Sequence, residues 1–212
     1  VHTLTLGVGA PVVEVKADSW RTAVAKNKRA EVRAEGGIPL LTKDIRRAKS
    51  CALAVLQTPK VGRMIRDAEC ELSAWWRDPI TGVMLRLRID ALYLTPDGDV
   101  IALDLKTAET ADPVAFAASI RGHGYHQQQD WYEGGLTILG RKPRAFLFPV
   151  VARRPPHLVS LNRVPPRFLA RAGARNRAAV DKFAACLTAG EWPDYGTDIH
   201  EIEQPAWAYR ED

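Results

Sequence analysis

Two aspartates and a lysine in the middle of the chain are placed where ordinary strand composition would not put them. Asp90 interrupts the apolar-alternating run 85–94, and Asp104 interrupts a second such run two residues before Lys106. Strand side chains alternate, so Asp104 and Lys106 project from one face. Between the runs, Pro96-Asp97-Gly98-Asp99 is a strong hairpin signal. A three-residue loop of Pro96, Asp97 and Gly98, with Gly98 left-handed, sets Asp90 directly opposite Asp104. A two-residue Asp97-Gly98 loop shifts the register by one and keeps the carboxylates as neighbours. Opposed strand residues have Cβ atoms about 4.5–5.5 Å apart, and two carboxylates that close repel unless a proton or cation lies between them. A hard divalent cation resolves this, since magnesium takes one or two carboxylates together with water and phosphate. Lys106 beside it would orient or deprotonate a water. Taken alone, the hairpin also fits a surface ribbon in which Asp90 pairs with Arg88 or Lys106.

The elements that must position these residues follow from pattern. Residues 11–15 form a short strand, and Asp18-Ser19 caps a basic helix over 20–34 that Gly36-Gly37 stops. A helix from Thr42 to about residue 56 places Ile45, Ala48, Ala52 and Val55 on one face, and a shorter one covers 61–67. Three antiparallel strands are expected over 70–76, 84–94 and 100–106, with Glu71 on one face of the first. Trp75 and Trp76 point to opposite sides, one to the core and one to the surface. Asp112-Pro113 starts a short helix, Gly122-His123-Gly124 breaks the chain, and 125–136 is helical with Tyr125, Gln128 and Tyr132 sharing a face. Residues 145–151 form a buried strand, 157–164 another strand candidate, and 166–187 a long helix closed by Gly190. The remainder to Asp212 is aromatic, contains proline and is read as wrapping the surface. Strands followed by helices, then a buried strand and a helix, give an α/β (α+β) layered domain with a mixed central sheet flanked by helices.

At 212 residues the chain is expected to be a single domain. Its 46% hydrophobic and 26% charged residues are those of an ordinary globular protein. No run approaches the apolar length of a membrane span, and no leader is read at its start. Cys51, Cys70 and Cys186 are scattered and odd in number, which indicates neither a disulfide framework nor a zinc ribbon. A reducing cytoplasm is therefore expected. The formal charge is +5. It is concentrated between Arg141 and Lys182, where eleven basic residues face only Asp181. That asymmetry is typical of a phosphate-backbone footprint, although a solvated basic face has the same composition.

The order Glu71, then Ile89-Asp90, then Asp104-Leu105-Lys106, then Gln128-Gln129-Asp130-Trp131-Tyr132 resembles the PD-(D/E)XK nucleases. Its last part is similar to the Q-x-x-x-Y signature of the RecB-like branch. The pieces WWRDPITG, LDLKTA, YHQQQDWYEGG and LTAGEWPDYG resemble the RecE-type, exodeoxyribonuclease VIII-like phage exonucleases, and Val1-His2 resembles the end of the helix that presents a metal-binding histidine. The chain departs from the pattern with Ile-Asp for Pro-Asp, with Asp104 for glutamate, and with little sequence before His2. On this likeness it would lack an N-terminal portion.

The resemblance implies a restriction-endonuclease-like core spanning 1–212 and a metal site for Mg2+, with Mn2+ as a substitute, formed by Asp90, Asp104, the Leu105 carbonyl and His2. Lys106 would handle the attacking water, Glu71 would support a second metal or a bound water, and Gln128 and Tyr132 would face the site from the helix, contacting the DNA backbone or the lysine. Arg21, Arg33, Arg121 and Tyr125 are candidates for contact with DNA. The implied activity is exonuclease digestion of duplex DNA ends, 5′-to-3′, by a ring-shaped homo-oligomer beside a single-strand annealing protein, in a bacterial or phage-infected cytosol.

Overall fold

The computed structural model describes residues 1–203 and 205. In chain order the elements are α1 (His2–Leu6), β1 (Val12–Val15), α2 (Ala23–Ala34), β2 (Ile38–Leu41), α3 (Thr42–Gln57), α4 (Pro59–Arg66), β3 (Glu69–Arg77), β4 (Met84–Leu94), β5 (Val100–Leu103), β6 (Lys106–Ala108), α5 (Pro113–Gly122), α6 (Tyr125–Ile138), β7 (Ala145–Ala152), β8 (Val159–Asn162) and α7 (Leu169–Ala189). The expected surface course of the C-terminal tail falls partly outside the described residues. No helix among the described residues is long and apolar enough to cross a membrane.

A mixed six-stranded sheet organises the chain in the order β3-β4-β5-β7-β6, with β8 on the other side of β7. β3, β4 and β5 are antiparallel neighbours, β5 and β6 run parallel to β7, and β8 is antiparallel to it. β7 is therefore flanked on both sides, and Phe146, Phe148, Val150 and Val151 are fully buried.

Each face of the sheet has its own core. On one, Trp76, Leu87, Ile89, Phe146, Phe148 and Val150 pack with Phe116 of α5 and Leu136 of α6. On the other, Ala91, Tyr93, Leu103, Leu105 and Val151 pack with Leu6 of α1, Cys51 and Val55 of α3, and Val61, Met64 and Ile65 of α4. The result is a sheet layered between helices, as expected.

Three local features differ from the sequence reading. The first helix begins at Ala23, because Thr22 rather than Asp18 or Ser19 accepts the Ala25 N–H at 3.2 Å. β2 was not anticipated. It is four residues long with Pro39 inside it, and it pairs in parallel with β1 as a small separate sheet. The expected strand over 100–106 is broken at Asp104 and Leu105. The registers Ile101↔Ala145 and Lys106↔Val150 show that β5 and β6 are two parts of one path along β7.

The pleat also inverts in β3 and β4 at one level. Leu87 and Ile89 enter the first core, whereas Ala91 and Tyr93, of the same parity, enter the second. Leu72, Ala74 and Trp76 pack on the first core, and Cys70 on the second. The inversion falls at Glu71 and Asp90. The flanking pairs Cys70↔Ala91 and Leu72↔Ile89 keep one register on either side, so no residue is inserted. Glu71 accommodates it with φ 55, a left-handed conformation unusual for a side chain with a Cβ.

Candidate active site

The β4–β5 turn is the three-residue loop. Gly98 has φ 84, and the ladder runs Leu94↔Val100 through Ala91↔Leu103. Extended by one step, that register puts Asp90 opposite Asp104, at the strand break.

The break frees a peptide group for use. The Leu105 N–H donates to Asp90 Oδ2 at 2.7 Å, and the Leu105 carbonyl accepts from His2 Nε2 at 2.6 Å. His2 Nε2 also lies 3.2 Å from Asp90 Oδ2. His2, on the opening turn of α1, thus meets an acidic strand and a backbone carbonyl at one point. Its hydrogen bond to Asp90 is the main reason its pKa is raised, with burial opposing.

Asp104 is almost fully buried. Its Oδ1 accepts from Gln128 Nε2 at 2.9 Å, and Gln128 Oε1 accepts from Lys106 Nζ at 2.9 Å. Lys106 closes the triangle through its ion pair with Asp104 Oδ2. Beyond that ion pair, the oxygen has no partner among the described residues. Burial first, then the charge of Asp90, push the Asp104 carboxyl up to about 6, while Lys106 and His2 oppose them.

The lysine is supported from below. Its Nζ lies 4.2 Å from the centre of the Tyr125 ring and 5.9 Å from that of Phe148. Tyr132 packs its ring on Phe146 and brings its phenol beside Gln128, and burial raises its pKa. Tyr125, Gln128 and Tyr132 share a face of α6 because residues three and four apart do. Close seating of the helix depends on Gly135, where a Cβ would meet Trp76 at 2.7 Å and Leu87 at 2.9 Å.

The donor set fits a hard cation. It comprises two carboxylates, a peptide carbonyl and an imidazole, and one of the carboxylate oxygens, Asp104 Oδ2, is buried with only Lys106 against it among the described residues. Among the described residues, no group of three or more His, Cys, Asp or Glu side chains is placed to hold a metal ion by itself. A cation here would rest on fewer side chains together with the Leu105 carbonyl and water. An open set suits magnesium, which keeps several waters.

The remaining candidates have various places. Glu71 lies at the level of Asp90 and is ion-paired with Arg88. Tyr125, a candidate for DNA contact, lies half-buried between Phe116, Phe148 and Lys106, where it supports the lysine. Arg121 is exposed in the last turn of α5, Arg21 in the turn before α2, and Arg33 in the last turn of α2. None of these three arginines is brought to the carboxylates by a hydrogen bond or ion pair.

The basic segment is partly engaged within the fold. Arg141 pairs with Glu69, Arg144 with Asp99, Arg153 and Arg154 with Glu109, and Arg177 with Asp78 and Asp181. Lys142, Arg163, Arg167, Arg171, Arg175 and Lys182 are exposed and have no carboxylate partner among the described residues. Sequence reasoning missed Phe148 beneath the lysine, for which its apolar run gives no signal. Arg88 pairs with Glu71 across the strands and not with Asp90.

No curated protein matches this chain. Among solved structures, it is similar to a protein from Eubacterium rectale named as a candidate exonuclease, with 12% identity and a TM-score of 0.55 over 80% of this chain. This chain spans 64% of the length of that one. A second structure, SSO0001, shares 13% identity over 69% of this chain and 68% of its own, with a TM-score of 0.34. The first likeness is one of fold. The family model for the PDDEXK-like domain of unknown function (DUF3799) matches residues 8–205, a span that holds β3, β4, the broken β5–β6 strand and α6, so the chain belongs to that PDDEXK-like family.

Proposed function

We propose that this protein is a magnesium-dependent deoxyribonuclease that hydrolyses phosphodiester bonds from duplex ends. The observation that carries the reading is the convergence of Asp90, the Leu105 carbonyl and His2 at one point, beside a buried Asp104 tied through Gln128 to Lys106. Asp90, Asp104, the Leu105 carbonyl and His2 would hold the cation. When bound, Mg2+ neutralises charge developing on the phosphate and lowers the pKa of water. Mn2+ is expected to substitute.

The chain's own residues do the rest. Gln128 fixes Lys106 Nζ with one end of its amide and Asp104 with the other, so ligand and lysine keep one relative position. The Tyr125 and Phe148 rings restrict the ammonium from behind. Lys106 can then orient an attacking water and stabilise negative charge as it forms. Glu71 is at hand for a second cation or a water.

The finer reading is a RecE-like exonuclease working 5′-to-3′ as a ring-shaped homo-oligomer. It would leave single-stranded tails for recombination beside a single-strand annealing protein, in the cytosol of a bacterium or of a phage-infected host. The resemblance of the motifs supports this.

The test is linear duplex DNA labelled at the 5′ or the 3′ end, with closed circular DNA alongside, in Mg2+ or in EDTA. Mg2+-dependent release from the 5′ label with intact circles is expected. Lys106→Ala should slow release by about 100-fold or more without changing the circular dichroism spectrum. Cleaved circles would indicate an endonuclease, binding without cleavage an inactive DNA-binding module, and full activity in folded Lys106→Ala would remove the site.

A further inference from the structure

Arg88 precedes Asp90 by two positions on β4, about 6.6 Å along the strand. Its side chain is 61% exposed, and its one ion pair among the described residues is with Glu71, whose side chain is only 12% exposed. Glu71 holds that carboxylate from a left-handed backbone, a strained conformation that persists only where the surroundings enforce it. Its partner level on β4 is that of Asp90, so the pair lies next to the candidate metal ligands. Tyr132 of α6 reaches the Arg88 backbone. An exposed guanidinium with one side on a carboxylate keeps further N–H donors directed outward, in the planar fork that matches phosphate.

We propose that Arg88 receives the phosphate neighbouring the one that is cut, and that Glu71 holds its guanidinium ready until DNA arrives. The assignment rests on the nuclease reading and adds to it a strand-positioning residue on β4. The exposed guanidinium gives up little on meeting a phosphate, but the exchange leaves the mostly buried Glu71 carboxylate without its cation, a cost that the phosphate contact must exceed. The exchange also leaves Glu71 free beside Asp90. The strained glutamate and the arginine thus act together, one parking the other. Lys106 remains with the water, and Arg88 sets the register of the strand.

The test measures binding in EDTA, so that it does not depend on cleavage. Short duplexes carry a single neutral methylphosphonate at each linkage near the end in turn, and are bound by wild type, Arg88→Ala and Arg88→Lys. At one linkage, neutralisation is expected to weaken wild-type binding by about 10- to 100-fold. Arg88→Ala should lose a similar factor on normal duplex and nothing further on that modified one. Arg88→Lys, which keeps a positive charge beside Glu71 and hence the fold, should bind normal duplex more weakly than wild type and respond less to the same neutral linkage. Losses that simply multiply, at every linkage and in both variants, overturn the role of Arg88 and leave the nuclease reading standing. No duplex binding by the wild-type protein at low salt overturns both.

Discussion

Burial drives the Asp104 carboxyl up to about 6, and the sign of its effect on stability follows. A carboxyl whose pKa rises on folding favours the fold while protonated. That contribution is complete below its unfolded value near 3.9 and is lost as pH rises through about 6. At neutral pH the ionised form therefore weighs against the metal-free fold by about 3 kcal/mol. Asp104→Asn removes the charge but has one acceptor oxygen where the carboxylate had two. It keeps the bond from Gln128 or the contact with Lys106 and not both, a loss of about 1–2 kcal/mol that offsets part of the gain. In EDTA at pH 7.5 it should melt above wild type by about 2–6 °C, and the gap should close as the pH falls toward 4. A lower melting point at pH 7.5 would refute this account of Asp104. Facing of Asp90 and Asp104 was legible because a Pro-Asp-Gly loop leaves few registers. For Gln128 the resemblance implied a contact with the lysine or with DNA, but its second bond, to Asp104, was not legible, since helical spacing says which face a residue occupies and not what it touches.

α6 positions Gln128, Tyr132 and Tyr125 from a distance set by one glycine. A Cβ at Gly135 would fall 2.7 Å from the Trp76 ring, whereas one at Gly134 meets nothing within 4 Å. Gly135→Ala should lower stability by about 1–3 kcal/mol through overpacking. It should also slow cleavage, because the helix must lift Gln128 from Lys106. Gly134→Ala should be neutral or stabilising by up to about 1 kcal/mol, and denaturant midpoints of the two variants check the contrast. Strands and helices with long periodic runs were readable, including β4, α3 and α6. The β5–β6 break and the inversion at Glu71 were not, because both are set by contacts with neighbouring strands and by a backbone angle that glutamate does not advertise. β2 was too short, and its Pro39 too much like punctuation, to be seen.

Across the whole molecule, the turn between β3 and β4 is tied to α7 by a buried charge. Asp78 accepts from Arg177 at 2.7 Å and from the Thr81 hydroxyl and N–H at 2.6 and 2.8 Å, contacts that hold its carboxyl well below the usual range. α7 is joined to α6 by Asn176, which donates to the Gln127 carbonyl and to Asp130. Arg177→Ala leaves a buried carboxylate without its cation and should cost about 3 kcal/mol. Arg144→Ala, at an exposed pair, should cost less than about 1 kcal/mol, and the two urea midpoints compare them. The layered fold was legible from the order of the elements. Which arginines face solvent was not, because composition counts charges without their partners: Arg177 counted toward a phosphate footprint and is instead a fastening between two parts of the chain.

The Leu105 peptide is polarised from both ends, its N–H on Asp90 and its carbonyl under His2. An amide proton held by a carboxylate reports that acceptor's charge through its resonance frequency. In a nitrogen–proton correlation spectrum the Leu105 signal should lie downfield and move as Mg2+ is titrated, before any DNA is present. A static Leu105 signal under saturating Mg2+ would place the cation elsewhere. The strand break thus gives the site its own spectroscopic gauge of occupancy, readable even in a variant that cuts nothing.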